Sequence, residues 1–190
     1  PRDTESSSMQ STTPSVQTVI KGISSMATRQ LLAELSAAYA QQTGVRVEIE
    51  SVGGVDAAKR VLAGEAFDVV FLATDAIDKL VQAGRILAGS KVDLVASGVA
   101  VAVKQGAAHP DIASEAAVRS AVLAAPSLSY STGPSGVALA KLFERWGIAS
   151  EIQNRIVQAP PGVPVGTLVA RGEVALGFQQ RSELIHLEGI

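Results

Sequence analysis

Serine hydroxyls and glycines cluster at places where a β-branched run of the sequence gives way to a helix-like one. The first such junction is Lys21 to Arg29, which contains Ser24 and Ser25, and the second is Ser51 to Arg60, which contains Gly53-Gly54. Hydroxyls at a helix start cap the helix or bind an anion beside its free N–H groups, and glycines let a ligand approach the backbone closely. Each junction taken alone is also consistent with a plain cap or turn.

Three further junctions of this kind lie in the second half of the chain. In SYSTGPSGVAL, residues 129–139, hydroxyls and glycines precede a strong helical pattern: Ser131, Thr132, Gly133, Ser135 and Gly136. Another junction follows prolines at Gly162, and the last ends an apolar run with Gln179, Gln180 and Arg181. Donors without carboxylates at the first, third and fifth junctions predict a small anionic or very polar ligand held by hydrogen bonds in a cleft.

The sequence gives little support for a conventional catalytic site or a cofactor site. The stretch GPSGV lacks the G-x-S-x-G spacing of a nucleophile elbow, because Val137 stands where the second glycine is needed. His109 and His186 are the two histidines, and neither lies near a carboxylate or a second histidine at ligand spacing. Cysteine is absent, and no phosphate-binding or dinucleotide-binding fingerprint is present. We therefore predict neither a metal nor a bound cofactor.

Composition excludes two classes of partner. The 190 residues include 16 basic and 18 acidic ones, a net charge of −2, without a run of like charges. Nucleic acid is therefore not an expected partner, because binding it needs a basic face. The longest apolar runs, such as VALGF, are far shorter than the roughly 20 residues that cross a bilayer, so no direct membrane insertion is expected.

Short β-branched runs, the first of which begins at Val16 and a late one of which is RIVQA, are predicted as strands. In the helix-like segments, Leu31, Leu32, Leu35 and Tyr39 recur at helical spacing, and Asp75 is a possible N-cap. Phe143 and Trp146 are expected to belong to the core.

Strand-like and helix-like segments alternate along the chain, which predicts an α/β fold with helices on both faces of mostly parallel sheets. The segment Val92 to Val103 is long for a strand and predicts a crossover between two lobes. We divide the chain into five parts, ordered as leader or tag, first lobe, crossover strand, second lobe and return crossover: 1–15, 16–94, 95–103, 104–178 and 179–190.

The blocks AGEAFDVVFLA and GEVALGFQQ, with GISSMATRQLLAEL and SYSTGPSGVALAKLFERWGI, resemble the periplasmic molybdate-binding proteins of ABC transporters and the wider type II solute-binding group. The resemblance runs from about Val16 to the end of the chain. It implies two α/β lobes that close on an anion, a periplasmic location after removal of a signal peptide, and a membrane permease as partner. Members usually continue beyond the equivalent of HLEGI with another crossover and helices that complete the first lobe.

The resemblance also places the ligand contacts. Carried over by position, they fall on Ser24, Ser25, Gly54, Val55, Ser135, Gly162, Val163 and Gln180, and the hydroxyl-rich turn adds Ser131, Thr132 and Gly136. Molybdate binders typically have a serine cluster where this chain has GGV, and a tyrosine where it has Gln180. Both replacements remove a hydroxyl donor, so the resemblance favours a larger organic acid over molybdate.

An isomerase is the alternative that the resemblance raises. The same group includes a periplasmic aconitate isomerase with similar GFQQ and SGV blocks, which implies proton abstraction next to a carboxylate in the same cleft. Arg29, Arg60 or Arg181 would hold substrate carboxylates. The sequence does not identify a catalytic base. Asp56 is the carboxylate nearest to a cleft junction, but its position suits a partner of the helix dipole better than a base. We expect a binding protein first and an enzyme second, with a cytoplasmic ligand-sensing domain of a transcription regulator as a third, less favoured reading of the same two-lobe architecture.

Overall fold

A computed structural model describes residues 18–160 and 162–190. The expected leader over residues 1–15 and the start of the first expected strand at Val16 lie outside the described residues. Two separate three-stranded sheets organise the described chain. The structure therefore confirms the α/β class.

The first lobe carries a parallel sheet of strand order β2-β1-β3. Its strands are β1 (Val19–Ser25), β2 (Arg46–Val52) and β3 (Val69–Phe71). Its helices are α1 (Arg29–Thr43), α2 (Gly54–Leu62) and α3 (Thr74–Gln82), and a 3₁₀ turn, Met26–Thr28, joins β1 to α1. Because β1 is central and ends at Ser25, its carboxyl end brings the first predicted junction to the edge of the sheet where α2 also begins.

The second lobe carries a mixed sheet of order β4-β6-β5, in which β4 runs antiparallel to β6 and β5 runs parallel to it. Its strands are β4 (Val99–Ala102), β5 (Leu128–Tyr130) and β6 (Leu176–Gln180). Its helices are α4 (Glu115–Ala124), α5 (Pro134–Arg145), α6 (Ala149–Ile152), α7 (Val165–Ala170) and α8 (Arg181–Leu184), with a 3₁₀ turn at Gln153–Arg155.

Local sequence signals explain most helix ends. Helix α1 ends at Gly44, whose φ of +72° is the left-handed cap expected there. Ser114 caps α4, since its hydroxyl accepts a hydrogen bond from the Ala117 N–H at 3.1 Å. The prediction of Asp75 as the cap of α3 is wrong: the helix already begins at Thr74, so Asp75 lies inside the first turn, where a carboxylate still favours the helix dipole.

Two predicted strands are shorter in the structure. Of the stretch Val92 to Val103, only Val99–Ala102 is a strand, because β4 pairs with β6 alone and residues 92–98 are exposed without a ladder partner. The RIVQA stretch makes a single bridge, Ile156 to Leu128, in place of a strand. The lobe boundaries drawn around these segments stay predictions.

The second lobe has the larger core. Phe143 is 2% exposed and lies within 6.2 Å, centroid to centroid, of the rings of Tyr130, Trp146 and Phe178. This confirms the expectation that Phe143 belongs to the core, with Trp146 partly buried beside it. The first-lobe core is small and consists of Ile23, Ala57, Val61 and Leu80, with partly buried neighbours.

Helix α1 keeps much of its apolar side in solvent. Leu31, Leu35 and Tyr39 follow one another at four-residue spacing and are 38%, 53% and 45% exposed, whereas Leu32 is buried. The helical spacing of these residues is thus confirmed, but their side chains lie outside the first-lobe core.

Candidate functional site

The two lobes meet at the start of helix α2. A Cβ atom added to Gly54 would lie 3.5 Å from the Pro134 ring and 3.5 Å from the Ser25 Cβ atom. Pro134 is the first residue of α5 in the second lobe, and Ser25 ends β1 in the first. The structure therefore brings together the amino-terminal ends of two helices from different lobes.

Ser24 and Ser25 occupy different environments. Ser24 is fully buried, and its hydroxyl lies 2.7 Å from the Ser51 Oγ atom and donates to the Ser25 carbonyl at 3.0 Å. Ser25 is half-buried, and its side chain makes no capping hydrogen bond at the 3₁₀ turn it begins. Ser24 thus ties β1 to β2 within the sheet, while Ser25 lies beside Gly54 where the lobes meet, and its role as a ligand contact stays a prediction.

The SYSTGPSG turn folds into a compact donor group. The Oγ atoms of Ser131 and Ser135 lie 3.0 Å apart, and both residues are half-buried, whereas Thr132 is exposed. Gly136 is buried, and a Cβ atom at this position would lie 1.5 Å from the Ser131 carbonyl oxygen. Only glycine leaves room for this approach, so Gly136 fixes the two serines side by side at the start of α5.

The remaining predicted contacts have looser surroundings. Val55 is 44% exposed on the first turn of α2. Gly162 has a φ of +78° with nothing within 4 Å of an added Cβ atom, and the Val163 N–H donates to the Pro160 carbonyl at 3.0 Å. Gln180 ends β6 opposite Val99 and is half-buried. These positions stay predictions as ligand contacts.

The sequence did not predict that Gln179, near the end of β6, and Glu183, in α8, form a pair. Gln179 is 5% exposed, and its Oε1 atom accepts a hydrogen bond from the Val165 N–H at 3.1 Å. The side chain of Gln179 also lies near Glu183 in α8, where it lowers the pKa of the carboxyl less than burial raises it. The spacing of the two residues, four apart across a strand-to-helix junction, is the signal that marks them in the sequence.

The carboxyl of Glu183 is expected to make the protein less stable as pH rises. Burial raises its pKa, and the nearby Gln179 side chain lowers it less. Because the folded protein holds this proton more tightly than the unfolded chain, ionisation lowers the free energy of unfolding between the unfolded pKa of about 4.3 and the higher folded one. We expect Glu183→Gln to raise the melting temperature near pH 7, with little gain near pH 4. Thermal unfolding at both pH values tests this, with the exposed Glu188→Gln as control; an equal gain at both would contradict it.

Arg60 is not placed to hold a substrate. Its guanidinium forms ion pairs with Glu50 at 2.7 Å and Glu65 at 2.6 Å, and it lies 5.6 Å above the ring of Phe67. These partners raise the pKa of Arg60 further and lower the pKa of both carboxyls. The suggestion of Arg60 as a carboxylate clamp is therefore wrong, since the side chain is engaged within the first lobe.

Two open hollows lie away from the meeting point of the lobes. One, of about 680 Å³, runs between α1 and β2 and is bordered by Arg29 and Arg46. The other, of about 490 Å³, lies beside β4 and includes Arg181 and His109. Arg29 and Arg181 thus border hollows other than the gap between Gly54 and Pro134, so their expected role as carboxylate clamps stays without support from the geometry.

Within residues 18–160 and 162–190, no three histidine or carboxylate side chains come together as a metal site would require. Across the same residues, none of the helices combines the length and the apolar character of a membrane span.

Similarity to known proteins agrees with this architecture. The chain is 40% identical over 163 residues to aconitate isomerase from Pseudomonas sp., an alignment that covers 83% of this chain and 62% of that protein. The molybdate-binding periplasmic protein of Azotobacter vinelandii is similar in structure, with a TM-score of 0.71, 23% identity, and coverage of 90% of this chain and 75% of that one. The tungstate ABC transporter protein of Geobacter sulfurreducens has a TM-score of 0.68, 21% identity and the same coverages.

The structural similarities confirm the two-lobed binding-protein fold that the sequence predicted. The model of the bacterial extracellular solute-binding protein family matches residues 20–190, which is nearly the whole described chain. The chain belongs to the bacterial extracellular solute-binding protein family.

Proposed function

We propose that this protein captures a small organic acid or oxyanion between its two lobes, in the periplasm, and presents it to the permease of an ABC transporter. The observation that carries the proposal is the meeting of the α2 and α5 amino-terminal ends beside Ser25, Ser131 and Ser135. Helix starts and hydroxyls donate hydrogen bonds to an anion, and a clamp with donors on both lobes couples binding to closure.

The donor set favours a carboxylic acid over a bare tetrahedral oxyanion. Gly53 and Gly54 leave the α2 side of the gap without side chains, and Gln180 supplies an amide at the end of β6. An amide and an open backbone suit a larger ligand with several carboxylates, each able to accept hydrogen bonds from a different junction.

Thermal-shift measurements test the ligand class. Molybdate, tungstate, sulfate, phosphate, citrate and the cis- and trans-aconitates are each added in large excess. A ligand at about 100 times its Kd should add about 2.7 kcal/mol of stability, which is readily measured as a rise in melting temperature. We expect the tricarboxylates to give the largest rise. A rise with molybdate alone would overturn the preference for organic acids, and no rise with any anion would overturn the proposal.

Replacing Ser25 and Ser135 together by alanine tests the clamp. Hydrogen bonds to a charged group are worth about 1.5–3 kcal/mol each, so the double variant should bind the stabilising anion at least about 100-fold more weakly. The melting temperature without ligand should change little, because Ser25 makes no capping hydrogen bond and Ser135 bonds only to another hydroxyl among the described residues. Isothermal titration with the exposed Thr132→Ala as control measures the difference, and unchanged affinity in the double variant would refute the clamp.

A second candidate function is isomerisation of an unsaturated tricarboxylic acid in the same gap. The 40% identity to aconitate isomerase favours it, although the alignment covers 62% of that protein. An assay for double-bond migration with each aconitate, followed by absorbance or proton NMR, separates turnover from simple binding.

A further inference from the structure

The outer edge of β4 has no neighbouring strand within the described residues. Strand β4 lies at one side of the second-lobe sheet and pairs with β6 alone. The Arg181 N–H donates to the Gly98 carbonyl at 2.9 Å, so the ladder directs the backbone groups of residues 98, 100 and 102 toward β6. The alternate residues direct their N–H and C=O groups away from the sheet, and these are Val99, Val101 and Val103. A free edge of this kind is where an added strand forms its hydrogen bonds.

The hollow of about 490 Å³ beside β4 runs along this edge. Residues 100–103 all border it. Ala102 packs on the α7 side of the sheet and Val101 on the side of the aromatic core, so a hollow that touches both lies along the edge. At its far end the Gln105 N–H donates to the Gly189 carbonyl at 2.9 Å. The hollow is therefore an open groove between a free strand edge and helix α8.

Apolar side chains around the groove are exposed. Val99, Ile112 and Ile185 are 46%, 52% and 57% exposed, and the last two border the groove together with the buried Leu184. They offer contacts to a strand whose side chains alternate between its two faces. The groove thus combines unpaired backbone groups with apolar contacts, the two components of strand addition between chains.

The ionisable side chains around the groove are basic. Lys104, His109 and Arg181 border it, and no aspartate or glutamate is among the described residues that do. Neither Lys104 nor Arg181 takes part in an ion pair within the described residues. The Lys104 Nζ atom lies 3.5 Å from the position of a Cβ atom on Gly172, just after α7, so this ammonium group lies on the α7 side of the sheet. Gly98, the backbone partner of Arg181, precedes Lys104 by six residues, or about 20 Å of extended chain. The two cations therefore mark opposite ends of the groove.

A second copy of this chain fits the groove poorly. Pairing of β4 with β4 of another copy, about a two-fold axis through Val101, sets residue 98 of one chain opposite residue 104 of the other. This register brings the Lys104 of each copy toward the Arg181 of the other, and like charges on neighbouring strands are unfavourable. Aspartate or glutamate at the same positions would instead form charge-assisted hydrogen bonds with both cations.

We propose that the groove beside β4 is a docking site for an extended segment of another protein, in which two acidic residues six positions apart flank a short apolar stretch. The segment runs antiparallel to β4 and bonds to the outward backbone groups of Val101 and Val103. Its acidic residues lie beside Arg181 and Lys104, and alternate apolar residues between them contact Leu184 on the α7 side of the sheet. This site is separate from the gap between the lobes and binds its partner whether or not that gap is occupied.

A synthetic peptide, acetyl-Glu-Thr-Val-Thr-Val-Thr-Glu-amide, tests the site because its alternation matches this arrangement. NMR titration should show saturable binding with a Kd below about 1 mM. Hydrogen exchange should slow at the Val101 and Val103 amides on binding, whereas the Ala100 and Ala102 amides are already bonded to β6. N-methylation of the second and fourth peptide residues should abolish binding, and N-methylation of the two valines should not, because their N–H groups point away from β4.

Reversal of the two cations tests the acidic chemistry of the partner. Lys104→Glu with Arg181→Glu should raise the Kd at least about 10-fold, because each attraction becomes a repulsion. The same variant should bind the peptide that has lysine in place of both glutamates, which also shows that the variant is folded. Lys141→Glu with Arg119→Glu is the matched control, since both residues are exposed and lie outside the groove, and it should bind as the wild type does.

Each contrary outcome overturns a defined part of the proposal. No saturable binding up to about 1 mM peptide would exclude the docking site. Binding without slower exchange at Val101 and Val103 would place the peptide elsewhere on the protein. Unchanged affinity in the reversed variant would refute the acidic partner. A protein that dimerises alone in sedimentation, with both valine amides protected before peptide is added, would assign the groove to a second copy.

Discussion

Gly136→Ala should disrupt the second half of the anion clamp and destabilise the second lobe. An added methyl group would overlap the Ser131 carbonyl oxygen, at 1.5 Å, and also press on the Tyr130 ring at 3.2 Å. The obstacle is backbone, so the turn that holds Ser131 beside Ser135 has to move. Overpacking typically costs about 1–3 kcal/mol and more where the backbone must shift, so we expect a loss of about 3 kcal/mol or more. Denaturant unfolding and titration with the stabilising anion measure the two effects.

The matched control lies three residues earlier in the same turn. A Cβ atom on Gly133 would have its nearest contact at 3.7 Å, the Ser131 Oγ atom, and its φ of −79° is open to any residue. Gly133→Ala should therefore change stability by less than about 1 kcal/mol. If Gly136→Ala were as stable as Gly133→Ala and bound anions equally well, the close approach to Ser131 would not be a real constraint.

Phe143→Ala should remove the centre of the second-lobe core. The ring of Phe143 is 2% exposed and contacts the rings of Tyr130 and Phe178 edge-on. Deleting a buried phenylalanine costs about 3–5 kcal/mol, because its apolar surface is lost and a cavity remains. That is a large share of the total stability of a domain, about 5–15 kcal/mol, so the variant should be partly unfolded at physiological temperature.

Urea unfolding followed by circular dichroism measures the loss for Phe143→Ala. Val137→Ala on the same helix is the control, because Val137 is 50% exposed and should cost less than about 1 kcal/mol. Phe143→Leu, which keeps most of the volume, should lose less than the alanine variant. A loss below 1 kcal/mol for Phe143→Ala would show that the aromatic group around it does not hold the lobe together.

The alternation of strands and helices was enough to predict the α/β class, because each strand or helix has a recognisable local pattern of apolar residues. Element lengths were less predictable. The Val92 to Val103 stretch has the composition of one strand, yet pairing depends on a neighbour, and β6 supplies a partner for only Val99–Ala102. Likewise the Leu31, Leu35 and Tyr39 stripe identified α1 correctly, but its exposure depends on what packs beside the helix.

The candidate site was predicted in outline because strand ends and helix starts are visible in sequence. The split between Ser24, buried against Ser51, and Ser25 beside Gly54 was not, because it depends on which face of β1 each residue takes in the sheet. Glu183 was missed for a related reason. Its partial burial depends on the packing of α8 against β4, β6 and the 3₁₀ turn Met26–Thr28, which are contacts between elements distant in sequence.

The two lobes differ in the size of their cores, so the second lobe should form the more rigid side of the gap and the first lobe the more flexible side. The larger buried clusters, including the group around Phe143, lie in the second lobe, whereas β2 has no buried residue and α1 buries only Leu32 among the described residues. Backbone amides open locally at a free energy set by such packing, so those of the first lobe should exchange with solvent sooner. A ligand bridging Ser25 and Ser135 would then slow exchange mainly on the first-lobe side, where the unliganded protein has most freedom to lose.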